Sequence, residues 1–291
     1  MVYYGYYHKR RKKRGATMSI VSLLTTCGEE EQQPRQAGLL LRKLLLPFGG
    51  GELYFAAEKP LFLLDLSLPA DKKTGVNFDP RLAWAVLDMA RNHGATQVSF
   101  AVRTEEGFSF DQVLAASGYD QLARLEGVNF IDLRQAPTLD RSSDLGLALD
   151  RLPIYAPVAQ AGLVVSLAKF KAAQGSLFGG AFHNLALTTP ALAELSGEQR
   201  ARALVDIYSI MAPDLTIIDG WRGDAGFQSH QGDFVLAAVD AVAADAVLAA
   251  LAGLDLNSLE NIQLAAQYGL GEGDPGDVHL DGDDISERMA N

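Results

Sequence analysis

Apolar runs of strand length alternate along this chain with amphipathic segments of helix length, at the spacing that βαβ units require. Residues 20–25 read as a strand and 35–46 as a helix halted by Pro47 and the triplet Gly49, Gly50 and Gly51. Residues 61–68 predict a second strand. In 80–92, Pro80 sits in the first turn, Leu82, Val86, Leu87 and Met89 share one side, and Gly94 is the stop, which predicts a helix. Strands at 98–102 and 128–133 flank a helix at 110–116, and the polar, acidic stretch 134–151 reads as a connection. Beyond it come a strand at 163–167, a helix at 198–211, and strands at 215–218 and 234–239. Asp240 is placed to cap a helix over 241–251 that Gly253 stops, and 257–268 forms the last helix before a Gly-rich, acidic tail. With no internal repeat and no linker, the pattern predicts one α/β domain over residues 18–291. Its expected architecture is a mostly parallel sheet with helices on both faces, a three-layer αβα arrangement.

Composition narrows the classes. Of 291 residues, 48% are hydrophobic and 21% charged, enough for a sizeable core and too apolar for a disordered chain. A single cysteine, Cys27, allows neither an internal disulfide nor a four-cysteine zinc or iron–sulfur site, and fits a reducing, cytoplasmic location. The weakly polar run 235–256 is interrupted by Asp240, Asp245 and Asp255, so it reads as a buried strand and helix and not as a membrane span. Formal charge is −11, yet it is unevenly spread. Six basic residues crowd into 9–14 beside four tyrosines, leaving 19 basic against 36 acidic residues from Met18 onward, a formal charge of −17. Such a body repels nucleic acid and anionic lipid, so a polyanion would have to bind through residues 9–14 or a local pocket. Residues 1–17 read as an extension outside the folded body, disordered or contributed by an upstream start or leader.

The candidate chemistry clusters in three stretches. Between residue 74 and the C-terminus lysine occurs only at 169 and 171, two apart at the end of an apolar strand, so both side chains point to one side. Beside Gly175, Gly179 and Gly180 they suit an anionic small molecule, held by point charges and backbone N–H groups; the bland alternative is that they pair with surface carboxylates. His183 and Asn184 follow and are suited to orient or protonate such a ligand, or to serve the fold. Asp219 closes an apolar strand and meets Gly220, the position of a general base or metal ligand at a sheet's carboxyl end, and also an ordinary strand exit. Trp221, Arg222, Asp224 and His230 lie in the Gly-rich loop after it, Arg222 and His230 being the candidate ligand contacts. Asp240 and Asp245 could join Asp219 around a divalent metal, although Asp240 also reads as a helix cap. Asp245 lies among alanines and valines, where a charge needs a partner such as Lys169, Lys171 or Arg222.

These stretches, VVSLAKFKAAQGSLFGGAFHNLAL (164–187), LTIIDGWRG (215–223) and VLAAVDAVAADAVLAALAGLD (235–255), are similar to segments of the DUF362 family. The resemblance covers nearly all of the chain from Met18 and implies an α/β fold; the family's biochemical role is largely undefined. Many relatives carry ferredoxin-like modules, which implies a redox partner protein; this chain, with one cysteine, resembles a divergent member without an iron–sulfur cluster. Two positions depart from the family pattern. The run 61–69 reads LFLLDLSLP where relatives commonly have Lys-Pro-Asn, and His183 stands where they have Lys. No dinucleotide, P-loop, zincin or nucleophile-elbow fingerprint occurs. The expectation is a protein that binds an anionic small molecule or divalent metal in a cleft at the strand ends, with acid–base or redox-coupled chemistry. The alternative is a non-catalytic binding or complex-forming subunit.

Overall fold

A computed structural model describes residues 18–26, 34–56, 59–171, 179–221 and 233–283. The head 1–17, Cys27 and the candidates Arg222, Asp224 and His230 lie outside the described residues.

The strands and main helices follow in chain order as β1 (Ile20–Thr26), α1 (Pro34–Leu44), β2 (Leu61–Leu64), α2 (Pro80–Asn92), β3 (Val98–Val102), α3 (Phe110–Ala116), β4 (Val128–Asp132), β5 (Thr138–Ser142), β6 (Arg151–Tyr155), β7 (Val164–Lys169), α4 (Ala181–Leu185), α5 (Gly197–Met211), β8 (Leu215–Asp219), β9 (Asp233–Ala238), α6 (Ala241–Leu251), α7 (Glu260–Gln267) and β10 (His279–Gly282). Eight strands form one sheet in the order β10-β1-β9-β8-β7-β2-β3-β4. All pairings are parallel except those of β9, which runs antiparallel to β1 and β8.

Alternation along each central strand divides the core in two. Phe62, Leu64, Val165, Leu167, Leu215 and Ile217 pack on the face covered by α1, α2 and α3. Leu61, Leu63, Ala168, Ile218 and Leu236 pack on the face covered by α4 to α7. This is the three-layer αβα arrangement, and because the central strands are buried on both faces they read as continuous apolar runs. α6 is apolar nearly all round and buried along almost its whole length, which accounts for the hydrophobic run 235–256. Among the described residues no helix is long and apolar enough to cross a membrane.

Three segments differ from the sequence reading, the first being β2, which ends at Leu64 where a strand over 61–68 was expected, the chain turning as the Leu66 N–H bonds back to the Leu64 carbonyl. The stretch 134–151 is not a plain connection: β5 pairs with β6 as an antiparallel two-stranded ribbon. The turn between them closes on Asp206, a buried acid on α5 that accepts from the N–H groups of Leu147, Ala148 and Leu149 and from Ser143 Oγ at 2.8–3.0 Å. The described part of the acidic tail also contributes a strand. β10 adds to the sheet beside β1, and Asp283 accepts from Thr25 N and Thr25 Oγ1 at 2.7 and 2.8 Å.

Candidate functional site

Four adjacent parallel strands end in charged residues. Leu64 of β2 is in register with Val102 of β3 and Leu167 of β7, and Lys169 of β7 with Asp219 of β8. Asp65 and Arg103 each follow the last residue of their strand, Lys169 and Asp219 close theirs, and Lys171 lies two residues further. One edge of the sheet therefore carries three cations and two acids, at the end where α/β sheets bind ligands.

The two lysines have different partners and surroundings. Lys169 is 1% exposed; its ammonium donates to Asp219 Oδ2 at 3.0 Å and to the Trp221 carbonyl. Asp219 is wholly buried and also accepts from the N–H of Asp79 at 2.8 Å and of Trp221 at 2.7 Å. Burial pushes its pKa up from 3.8 to about 6, the Lys169 charge pulling down and Asp79 adding to the rise. Lys171 is 27% exposed and donates to both oxygens of Asp65, at 2.9 and 3.0 Å. The partners are thus carboxylates buried in the sheet edge, not surface acids. Behind Asp219, Asp79 takes three hydrogen bonds from Arg81, whose guanidinium lies 5.2 Å from the Trp221 ring centroid. Tyr119 donates to the Phe78 carbonyl at 2.6 Å, and burial, reinforced by Asp79, Asp219 and Asp65, pushes its pKa well above the ordinary range.

His183 faces this edge from α4. Its half-buried imidazole is held below the usual pKa by burial; Asp65 raises it, whereas Lys171 and Arg200 lower it further. Arg200, in the first turn of α5, donates to the Leu192 carbonyl at 2.7 Å. Its pKa is lowered by burial and by the nearby Arg103 guanidinium. Arg134 reaches over from the end of β4 to Thr104 Oγ1 and the Glu105 carbonyl.

The remaining candidates serve the architecture around this edge. Asn184 is buried and its amide donates to the Leu63 carbonyl at 3.1 Å and to Ser166 Oγ at 2.8 Å, tying α4 to the sheet. Gly179 forms a two-way backbone bridge with Lys171, and a Cβ there would stand 2.7 Å from Lys171 Cβ. Gly180 begins α4. A Cβ on Gly220 would strike the Phe234 ring. The three acids expected around a cation do not converge. Asp240 caps α6, accepting from Val242 N and Ala243 N, and binds Ser19 Oγ and Glu272 N. Asp245 accepts from Ala181 N at 2.6 Å and Phe182 N at 3.0 Å, so its partners are two backbone donors and not the expected Lys169 or Lys171. Burial raises its pKa from 3.8 to about 7 against those two bonds. Among the described residues no group of three or more His, Cys, Asp and Glu is placed to hold a metal ion.

Residues 63–250 match the family described as "Domain of unknown function (DUF362)". The chain belongs to the DUF362 family. The matched span runs from β2 into α6 and encloses every charged group of the edge just described. No match was found among the curated proteins. Similar solved structures include the lactate racemase apoprotein from Thermoanaerobacterium thermosaccharolyticum, at 12% identity and a TM-score of 0.47, covering 86% of this chain and 57% of that one. A protein from Thermotoga maritima is similar at 11% identity and a TM-score of 0.44, covering 81% of this chain and 59% of that one. The chain thus spans under two thirds of either structure.

In this DUF362 chain the sequence reading missed Asp65, Asp79, Arg103 and Arg200. Asp65 lay inside the strand expected over 61–68, so its place at a strand end was hidden, whereas Arg103 directly follows an apolar strand and is the basic counterpart of Asp219. Asp79 reads as a helix cap before Pro80. Arg200 has no local signal, since it reaches the edge from a helix in the next layer.

Proposed function

We propose that the chain binds a small anionic molecule at the carboxyl ends of β2, β3 and β7, with Lys171 and His183 as contacts and Arg103 and Arg200 beside them. The observation that carries this reading is the row of charged residues ending adjacent parallel strands, faced by His183 and Arg200 from the helical layer. Strand ends are where such sheets take ligands, and in a body of charge −17 a local group of cations is what draws an anion in. Gly179 and Gly180 bring backbone close to Lys171, and Arg222 and His230 belong to the loop that follows Gly220. Burial holds the His183 pKa below the usual imidazole value and pushes that of Asp219 up to about 6, which suits both groups to acid–base work on a bound anion.

A second reading, a non-catalytic binding or complex-forming subunit with a redox protein as one candidate partner, is favoured by a different observation. Lys169 with Asp219 and Lys171 with Asp65 already neutralise each other within the fold. Thermal unfolding with inorganic phosphate against chloride at equal ionic strength separates the two. Binding raises the unfolding free energy by about 2.7 kcal/mol when phosphate reaches a hundredfold its dissociation constant. The anion reading expects that rise in the wild type and its loss in Lys171→Ala and His183→Ala, both still folded. A wild type indifferent to phosphate favours the subunit reading.

A further inference from the structure

Lys171 carries the anion reading above, and its charge is already in use. Both oxygens of Asp65 accept from its ammonium, at 2.9 and 3.0 Å, which occupies two of the three N–H donors. Both partners are fixed where they stand. The Asp65 side chain is 4% exposed and its Oδ2 also accepts from the Lys169 N–H at 3.3 Å, while its own N–H and carbonyl bond to Leu167 and Phe78. Lys171 is held at its backbone by the two-way bridge to Gly179. An anion that reaches Lys171 therefore meets a carboxylate already seated on the same ammonium. The pair is neutral as a unit, and repulsion between the two anions offsets the attraction that the lysine offers.

We propose that Asp65 holds the place of the ligand's oxyanion on Lys171, and that the ligand takes this place by binding together with one proton, which Asp65 receives from solvent. This rests on the anion reading and adds its proton linkage. Protonation removes the competing charge without dismantling the site: the carboxyl group still accepts from the Lys169 N–H, its O–H becomes a donor, and the charge of Lys171 is left for the ligand. Asp65 is faced by Lys171 and the Lys169 N–H from the end of β7, by Arg103 in the adjoining register at the end of β3, by His183 from α4, and by Tyr119 from the opposite helical layer. Burial keeps Tyr119 protonated, which leaves His183 as the other group able to gain a proton when an anion arrives. Bound protein holds one proton more than free protein, so affinity rises as pH falls, by at most about tenfold per pH unit.

Calorimetric titration with sulfate, whose charge is constant between pH 5 and 8, reads affinity and proton uptake together when repeated in buffers of different ionisation enthalpy. The wild type is expected to take up close to one proton per sulfate near pH 6, and to bind at least about tenfold more tightly at pH 5 than at pH 8. Asp65→Asn keeps an acceptor for the Lys169 N–H and removes the charge. It is expected to bind sulfate roughly tenfold more tightly than the wild type at pH 8, with no proton uptake and little dependence on pH, whereas His183→Gln keeps the uptake. Weaker binding by Asp65→Asn at every pH would make Asp65 a support for Lys171 and overturn the proposal. So would uptake that survives in Asp65→Asn and vanishes in His183→Gln, with the anion reading left standing. The wild-type profile needs no variant to fold, and sulfate affinity unchanged from pH 5 to 8 overturns the proposal by itself. Sulfate bound at no pH by either the wild type or Asp65→Asn overturns the anion reading as well.

Discussion

Asp245 has no cation among its described partners, only the N–H groups of Ala181 and Phe182, and desolvation outweighs both. Its pKa in the fold, about 7, exceeds the 3.8 of an ordinary aspartate, so the folded state keeps a proton where the unfolded chain has released it. Stability therefore falls as pH rises from about 4 to about 7, and Asp219, at about 6, acts in the same direction over the lower part of that window. Urea unfolding between pH 5 and 8 should show this decline, and Asp245→Asn should flatten it while costing about 1–3 kcal/mol at pH 5 for a backbone donor left unpaired. A wild-type curve flat across that range would show that Asp245 is ionised throughout. Removing Asp219 is different, because Lys169 is then a buried cation without its counter-charge. Asp219→Asn should cost about 3–5 kcal/mol in the same assay, and adding Lys169→Met should recover most of it. Sequence alone singled out Lys169, Lys171 and Asp219 but not their pairing. That follows from the register setting Lys169 against Asp219 and from Lys171 reaching Asp65, 106 positions away.

At the scale of elements, the strands that are apolar on both faces were legible, because burial between two helical layers leaves an uninterrupted apolar run, but in β2 that run continues past Leu64, where the strand ends. β5 and β10 were not. Their residues, TLDRS and HLDG, have no stripe to read, and backbone pairing supplies what the side chains do not. The orientation of β9 was equally hidden, since an apolar strand looks the same in either direction. β10 nonetheless has a residue-specific anchor. Gly282 lies at φ +107°, and a Cβ there would strike the Leu23 carbonyl, while the next residue caps Thr25. Gly282→Ala should therefore detach β10 and expose the outer edge of β1. Hydrogen exchange at the Thr25 amide should rise steeply while exchange in β7 and β8 stays unchanged. Equal protection in both proteins would mean that β10 is held by something other than this close approach.

At the scale of the whole molecule, charge is partitioned three ways: a basic head, an acidic body, and a small group of cations at one sheet edge. Long and short anions should sort between them. A polyanion spans many residues and meets the field of the whole body, which repels it, so the six basic residues of 9–14 are where it would gain. A small ion meets only the local field at Lys171, Arg103 and Arg200. The 291-residue chain should thus bind heparin or DNA with an affinity that falls steeply with salt, a log–log slope of up to about −5 for six contacts, and a chain begun at Met18 should lose that binding. Its response to sulfate should remain. If the Met18 chain still bound heparin with the same slope, the cations of the sheet edge would have to be an extended polyanion surface, and a site sized for one small ion would be the wrong description of it.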